Sequence, residues 1–295
     1  RSPSRGLGDV YKRQVLIQAG RTLYIIGVLG DHHLAANFKR IMGWFCISAV
    51  FWITGAILQG EWQILLWIIA AICDYTAPMH GFALPRLGRS DSSKEWTIEG
   101  HHLVERCQLF VIIAFGETLL MTGASLSEVE EWTPLVIISA VISFIGSLAM
   151  WWVYFDVSSE AGSRKIQEVK DPGKLGLIYN AIHIVLVGAL IICAVGDELI
   201  VAHPEQEMRA EVVFVLIIGP IVYILANSIY KYVTCRMLPL SHIIAVIALA
   251  LLLPWPYHIS LLTMNILVTS VFIFVIVFDM LFPNKGFKIK WEPKI

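Results

Sequence analysis

HHLVERCQLFVIIAFGETLLMTG, residues 101–123, is the stretch from which the fold is read. Between Arg106 and Glu117 it runs without a charge, and apolar residues resume beyond Glu117. A helix needs about 20 mostly apolar residues to cross a hydrocarbon core of about 30 Å. Eight further stretches read the same way, so the spans are predicted at 15–30, 41–59, 62–83, 103–123, 133–157, 175–200, 210–233, 239–254 and 258–282. The first is interrupted by Arg21. The eighth is short and ends at Pro254-Trp255-Pro256, because proline cannot continue a helix. The expected fold class is all-α: a polytopic transmembrane helical bundle of about nine membrane-spanning helices, one domain over 15–285 followed by a tail at 286–295. With 57% hydrophobic and 15% charged residues, the chain lies far from the roughly 25% charge of a soluble domain.

The loops orient the bundle. Those at 31–40, 84–102, 158–174 and 231–238, together with the C-terminal tail, hold fifteen Lys and Arg, while the intervening loops hold only Arg209. Basic residues accumulate on the cytoplasmic side. A multi-pass protein of the bacterial inner membrane with a cytoplasmic C-terminus is expected, with the lipid bilayer as its first partner. Trp44, Trp62, Trp132, Trp151, Trp152 and Trp255 near predicted helix ends read as interfacial anchors. Nucleic acid is excluded as a partner, because no soluble basic surface interleaved with aromatics is present. Cys46, Cys73, Cys107, Cys193 and Cys235 form no C-x-x-C pair and read as small apolar side chains.

Residues 1–14, RSPSRGLGDVYKRQ, are polar and basic and lack the apolar core of a signal peptide. They are expected to be a non-native tail without defined structure. Helix 15–30 would start outside, so a cytoplasmic N-terminus requires an odd number of helices upstream, and the sequence reads as N-terminally truncated.

The rare polar groups inside the spans are the candidate site. Glu117 lies fourteen residues into its helix, roughly 21 Å from the cytoplasmic end. A carboxylate at that depth costs several kcal/mol unless it is paired, hydrated or protonated, which suits a proton relay; the structural alternative is a protonated Glu that holds a neighbouring helix. Arg106, eleven residues earlier, falls about 20° from Glu117 around the helix and shares its face with Phe110 and Ile113. The two are too far apart along the axis to pair, and Asp74 and Asp156 are candidate partners for Arg106. His101, His102 and Glu105 are spaced one turn apart, and Asp31-His32-His33 is predicted on the same side. Such a cluster suits zinc or iron chemically, but adjacent histidines on a regular helix are expected to point apart, so no metal and no cofactor are expected. Asp74 precedes Pro78, which can open the backbone. His183 lies inside 175–200, with Asp197-Glu198 near its outer end, and Asp279 reads as interfacial. ALIICAVGD at 189–197 overlays LFVIIAFGE at 109–117, which hints at an internal repeat of the kind transporters carry. No Walker loop, dinucleotide fingerprint, serine-hydrolase elbow or H-E-x-x-H occurs, so no catalytic residue is assigned and an enzyme is not the favoured reading. The ion- or solute-binding candidates are Glu117, Arg106, Glu105, His102, Asp74 and His183.

HHLVERCQLFVIIAFGETLL resembles the signature of the bacterial low temperature requirement A family, an HLxER-x-x-LFVIIxxGE run opening a central helix. YNAIHIVLVGALIICAVGDELIVAHP resembles a later helix of that family, with His183 inside and His203-Pro204 closing it, and VLIQAGRTLYIIG resembles the helix before this region. On the matching positions, the resemblance puts the family's charged residues at His102, Glu105, Arg106, Glu117 and His183. It also implies an opening ELFFDLVFVFA-like helix that this chain lacks, and about twelve helices in the whole protein. The family name implies a role in growth in the cold but no substrate. The favoured function is a transporter or channel-like protein with a proton-responsive polar cavity for an unknown small solute or ion. The alternatives are a membrane sensor or scaffold supporting growth in the cold, and an intramembrane enzyme acting on a lipid.

Overall fold

The protein is described by a computed structural model covering residues 3–58, 60–90, 100–156, 172–254, 259–282 and 286–288. Among these residues there are nine helices and one small two-stranded sheet. The helices are α1 (Pro3–Leu29), α2 (His33–Leu58), α3 (Glu61–Met79), α4 (Gly100–Glu128), α5 (Pro134–Phe155), α6 (Pro172–Ala202), α7 (210–235), α8 (Leu240–Leu252) and α9 (Leu261–Leu281). Strands β1 (Met237–Pro239) and β2 (Gly286–Lys288) pair antiparallel, with Leu238 opposite Phe287. The all-α polytopic fold read from the sequence is the fold observed.

Length and composition separate the helices of the described residues into two groups. Seven of the nine helices are long and apolar enough to cross a membrane. Thirteen-residue α8 reaches only about 20 Å, and α1 dilutes its apolar half with the polar residues before Val15. The helix that carries the first predicted span begins at Pro3, ahead of its apolar part. Pro3 takes the first helical position, where its missing N–H is not needed, and no further proline interrupts the run to Leu29.

Helix ends follow local chemistry. Thr133 caps α5 by accepting a hydrogen bond from the Val136 N–H, with Pro134 at the first turn, and Ser260 caps α9 through the Thr263 N–H. α3 ends one residue after Pro78, and Gly81 turns the chain with φ of 61°. α7 is continuous but irregular: after Ala210–Val213 it widens to a π-helix at Phe214–Ile218, where the Gly219 N–H reaches back to the Phe214 carbonyl, and it resumes as Gly219–Cys235. Pro220 explains the widening. Its ring crowds the preceding turn, and an extra residue in the turn relieves the crowding.

The chain packs as two compact units, one of Arg1–Thr97 with Lys170–Leu177 and one of Ile98–Val169 with Ile178–Ile295. In the first, α1, α2 and α3 pack in chain order. The Trp52 indole donates to Asp74, and the Trp44 indole to the Ala83 carbonyl. In the second, α5 packs on α4 and α9, and α8 on α7 and α9. Two pairs of chain segments meet at opposite ends of the second unit. The β1–β2 pairing puts the turn after α7 and the chain's C-terminal segment at one end. Backbone bonds from Met208 to Ile259 and from Leu261 to Gln206 join the segment after α6 to the one before α9 at the opposite end. Leu109, Ile113, Leu120, Ile137, Val141 and Leu148 are exposed along these helices, which is the apolar outer surface a bilayer covers.

A Cβ on Gly81 would sit 2.6 Å from the Ser90 carbonyl oxygen, at a φ that side chains avoid, whereas one on Gly116 meets nothing within 4 Å. Gly81→Ala is expected to cost about 2 kcal/mol and lower the apparent melting temperature in detergent by several degrees. Gly116→Ala is expected to leave it unchanged. Equal melting of the two variants would contradict the packing given for the 81–90 turn.

Candidate functional site

Each of α5, α6, α7 and α9 turns a row of polar side chains toward the inside of the second unit. On α5 the row is Ser139, Ser143, Ser147 and Tyr154, all buried, at helical spacing. On α6 it is Tyr179, His183 and Asp197; on α7 Tyr223, Asn227, Tyr230 and Lys231; on α9 Asn265 and Thr269. All of these side chains are buried, so the rows face one another. They meet in three clusters along the helices.

The first is an aromatic cage around His183, which is only 1% exposed. Nδ1 of His183 lies 2.7 Å from the Tyr179 carbonyl oxygen. A carbonyl only accepts, so Nδ1 carries the hydrogen, and Nε2 is left as the acceptor for the Tyr154 hydroxyl at 2.9 Å. Tyr230 stacks on Tyr154 with ring centres 5.4 Å apart and receives the Tyr179 hydroxyl at 3.3 Å. Next to the cage, the Cys107 thiol of α4 contacts the Asn180 side-chain oxygen at 3.4 Å.

The second cluster lies at the end of the unit that carries β1. Lys231 of α7, its side chain 6% exposed, bridges Asp156 at 3.1 Å and Asp279 of α9 at 3.4 Å. Nearby on α7 the Ser228 hydroxyl donates to the Ile224 carbonyl, so His242 of α8 donates its Nδ1–H to Ser228 at 3.0 Å. Nε2 of His242 is then a buried acceptor without a partner among the described residues.

The third cluster surrounds Asp197, which is buried on α6 about 21 Å along the helix from His183. The Ser147 hydroxyl donates to one of its oxygens at 3.5 Å. The Asn265 amide donates to Ser143 at 2.9 Å, and the Thr269 hydroxyl reaches Asn265 Oδ1 at 3.4 Å. These groups border a cavity of about 30 Å³, enough for one or two water molecules.

Of the residues proposed from the sequence, His183 alone is buried. Glu117, Arg106, Glu105 and His102 are exposed along α4. The shared face of Arg106, Phe110, Ile113 and Glu117 is real, but it points outward. Asp156, offered as a partner for Arg106, is taken by Lys231. Asp74 is exposed on α3 and accepts from Trp52. The expectation that adjacent histidines point apart fails at His101 and His102. Their Nδ1 atoms lie 3.9 and 3.7 Å from the same Glu105 oxygen, because Glu105 stands one turn on, between the two directions. The three groups bring ligand atoms within 4.8 Å on an exposed helix start, a donor set that suits a divalent metal. His32 is exposed, and the side chain of His33 lies outside the described residues.

The sequence reading passed over Lys231, counted as a loop charge, Asp279, read as interfacial, and Asp197, noted but not chosen. The signal was present in Ser139, Ser143 and Ser147, a hydroxyl every fourth residue in an otherwise apolar helix.

Comparison with known proteins places the chain. The profile of the family described as bacterial low temperature requirement A protein (LtrA) matches residues 13–277. An uncharacterised protein of Rhizobium meliloti (strain 1021) is 34% identical over 235 residues, which is 78% of this chain and 56% of that relative. The chain thus spans little more than half the length of the curated relative it matches. No solved structure matches it.

Lys231→Met would leave Asp279, with its side chain 20% exposed, facing a second carboxylate without a cation. Breaking a buried pair from the lysine side costs roughly 3–5 kcal/mol, and an exposed partner contributes far less. Thermal unfolding in detergent is expected to rank Lys231→Met as most damaging and Asp156→Asn, at 48% exposure, as least. Wild-type melting of Lys231→Met would show that the triad does not hold α5, α7 and α9 together.

Proposed function

The chain belongs to the bacterial low temperature requirement A (LtrA) family, and on that premise we propose that it is a transporter or channel-like protein with a proton-responsive polar interior. A small solute or ion is its cargo, in the bacterial inner membrane, with the C-terminus cytoplasmic. The His183–Tyr154 pair carries the reading. His183 presents a neutral Nε2 to the Tyr154 hydroxyl inside a membrane-spanning helix. A proton arriving at Nε2 needs only a rotation of that hydroxyl, which then accepts instead of donating. The Nδ1–H stays on the Tyr179 carbonyl throughout. Protonation therefore adds a positive charge between α5 and α6 without moving the ring, and a charge there biases how the helices pack. The sorted basic loops support the orientation. Within the sequence-derived set, this reading gives His183 the central role.

The ion triad favours a second reading, a membrane sensor or scaffold supporting growth in the cold. Lys231, Asp156 and Asp279 are paired with one another and tie three helices together.

The two readings separate in proteoliposomes that enclose a pH-sensitive dye. After an external acid step, the wild-type chain is expected to collapse the gradient about tenfold or more faster than protein-free vesicles. His183→Gln and Tyr154→Phe should fall near the vesicle background while eluting as folded protein. Wild-type rates in both variants, or no wild-type rate above background, would end the proton-responsive reading and leave the scaffold.

A further inference from the structure

We propose that the cavity beside Asp197 is a binding site for one dehydrated monovalent cation of the sodium kind, held by Asp197, Ser147, Asn265, Thr269 and a backbone carbonyl of the π-helical stretch of α7. Binding stands on the cavity alone; only the ion's role as a coupling ion rests on the transport reading.

Four arguments converge. The first is charge. Asp197 is 7% exposed, and no Lys, Arg or His is among the residues lining its cavity. Ser147 meets one of its oxygens at the long distance of 3.5 Å and Ser143 is its other hydroxyl partner, so only neutral groups compensate it. A buried carboxylate so thinly compensated calls for a positive partner. A monovalent ion neutralises it, whereas a divalent ion would leave an excess buried charge.

The second is the donor set. Hard cations take oxygen ligands, and the wall offers Asp197, the Ser147 and Thr269 hydroxyls and the Asn265 amide. Asn265 points its NH2 at Ser143, which leaves Oδ1 on the Thr269 side, where it meets only a 3.4 Å contact.

The third is the backbone. Val215, Leu216 and Pro220 line the same cavity. In the five-residue register of the π-helical turn, Pro220 stands where the donor to the Val215 carbonyl would be, and it has no N–H to give. The Val215 carbonyl oxygen would lie 3.5 Å from a Cβ on Gly196, the residue before Asp197. Broken helices that aim free carbonyls at an ion near a buried acid are how membrane carriers hold sodium.

The fourth is size. The cavity of about 30 Å³ has room for a bare ion or one or two water molecules.

The test is melting of the purified full-length chain in detergent as NaCl replaces choline chloride at constant ionic strength, together with equilibrium binding of radioactive sodium. A saturable rise of several degrees with NaCl is expected in the wild type, with displaceable sodium binding. Asp197→Asn should fold but lose both responses, and Thr269→Ala should weaken sodium binding about tenfold or more. If Asp197→Asn does not fold, the wild-type binding and the Thr269→Ala shift still decide. Identical wild-type melting in sodium and choline with no displaceable sodium overturns the site. A response to protons alone also overturns it and makes Asp197 a proton carrier. His183→Gln should keep the sodium response, so failure of the proton reading and failure of this site are separate results.

Discussion

Across about 30 Å of hydrocarbon no water stands ready to satisfy a polar group, so each hydroxyl, amide or charge on these helices needs a protein partner or a wet cavity. That requirement orders the second unit. Ser139, Ser143 and Ser147 repeat every fourth residue on α5, and two of them meet polar groups of α6 and α9 through Asp197 and Asn265. Tyr154, His183, Tyr179 and Tyr230 close a cage of hydrogen bonds and ring contacts. Lys231 is kept among apolar helices by two carboxylates. The apolar residues fill the space between and face outward, and they distinguish one helix position from another far less sharply.

The two Ala-x-Gly-acid segments show what a motif leaves undetermined. Gly116-Glu117 and Gly196-Asp197 look alike in sequence, yet a Cβ on Gly116 meets nothing within 4 Å, while one on Gly196 would lie 2.9 Å from Leu216. One acid is therefore exposed and the other buried. Depth along the helix, readable from residue counts, is equally plain for both. The angle around the helix relative to neighbours depends on packing partners distant in sequence, and one segment does not carry that information. The phase of the Arg106–Glu117 face was legible; whether it turned inward or outward was not.

Much of the fold was legible because it depends on local quantities. Apolar length gave the helices, and sorted Lys and Arg grouped the loops that the β1–β2 pairing and the Met208–Ile259 contact bring together. Two helix lengths have specific causes. Proline stops α8 where the sequence places the stop, and a proline well placed at a first turn lets α1 begin before its apolar part. Lys231 misled because the positive-inside pattern counts a basic residue at a helix end without asking whether it faces solvent. The π-helical stretch has only Pro220 as its signature, and a proline can equally kink or end a helix.

These features combine into one account: a membrane bundle whose interior polar seam runs from a triad at one end, past a caged histidine, to a buried acid and its cavity. For that seam to serve transport, solution must reach it at some stage. Cys193 lines the Asp197 cavity and is itself buried, which makes it a reporter. The most direct measurement is the rate at which silver ion, a small thiol-reactive cation, modifies Cys193 in native membranes, in full-length protein whose other cysteines are replaced by alanine. The account expects modification of the folded protein, slowed by sodium and not by choline. A Cys193 that reacts only after unfolding would contradict it.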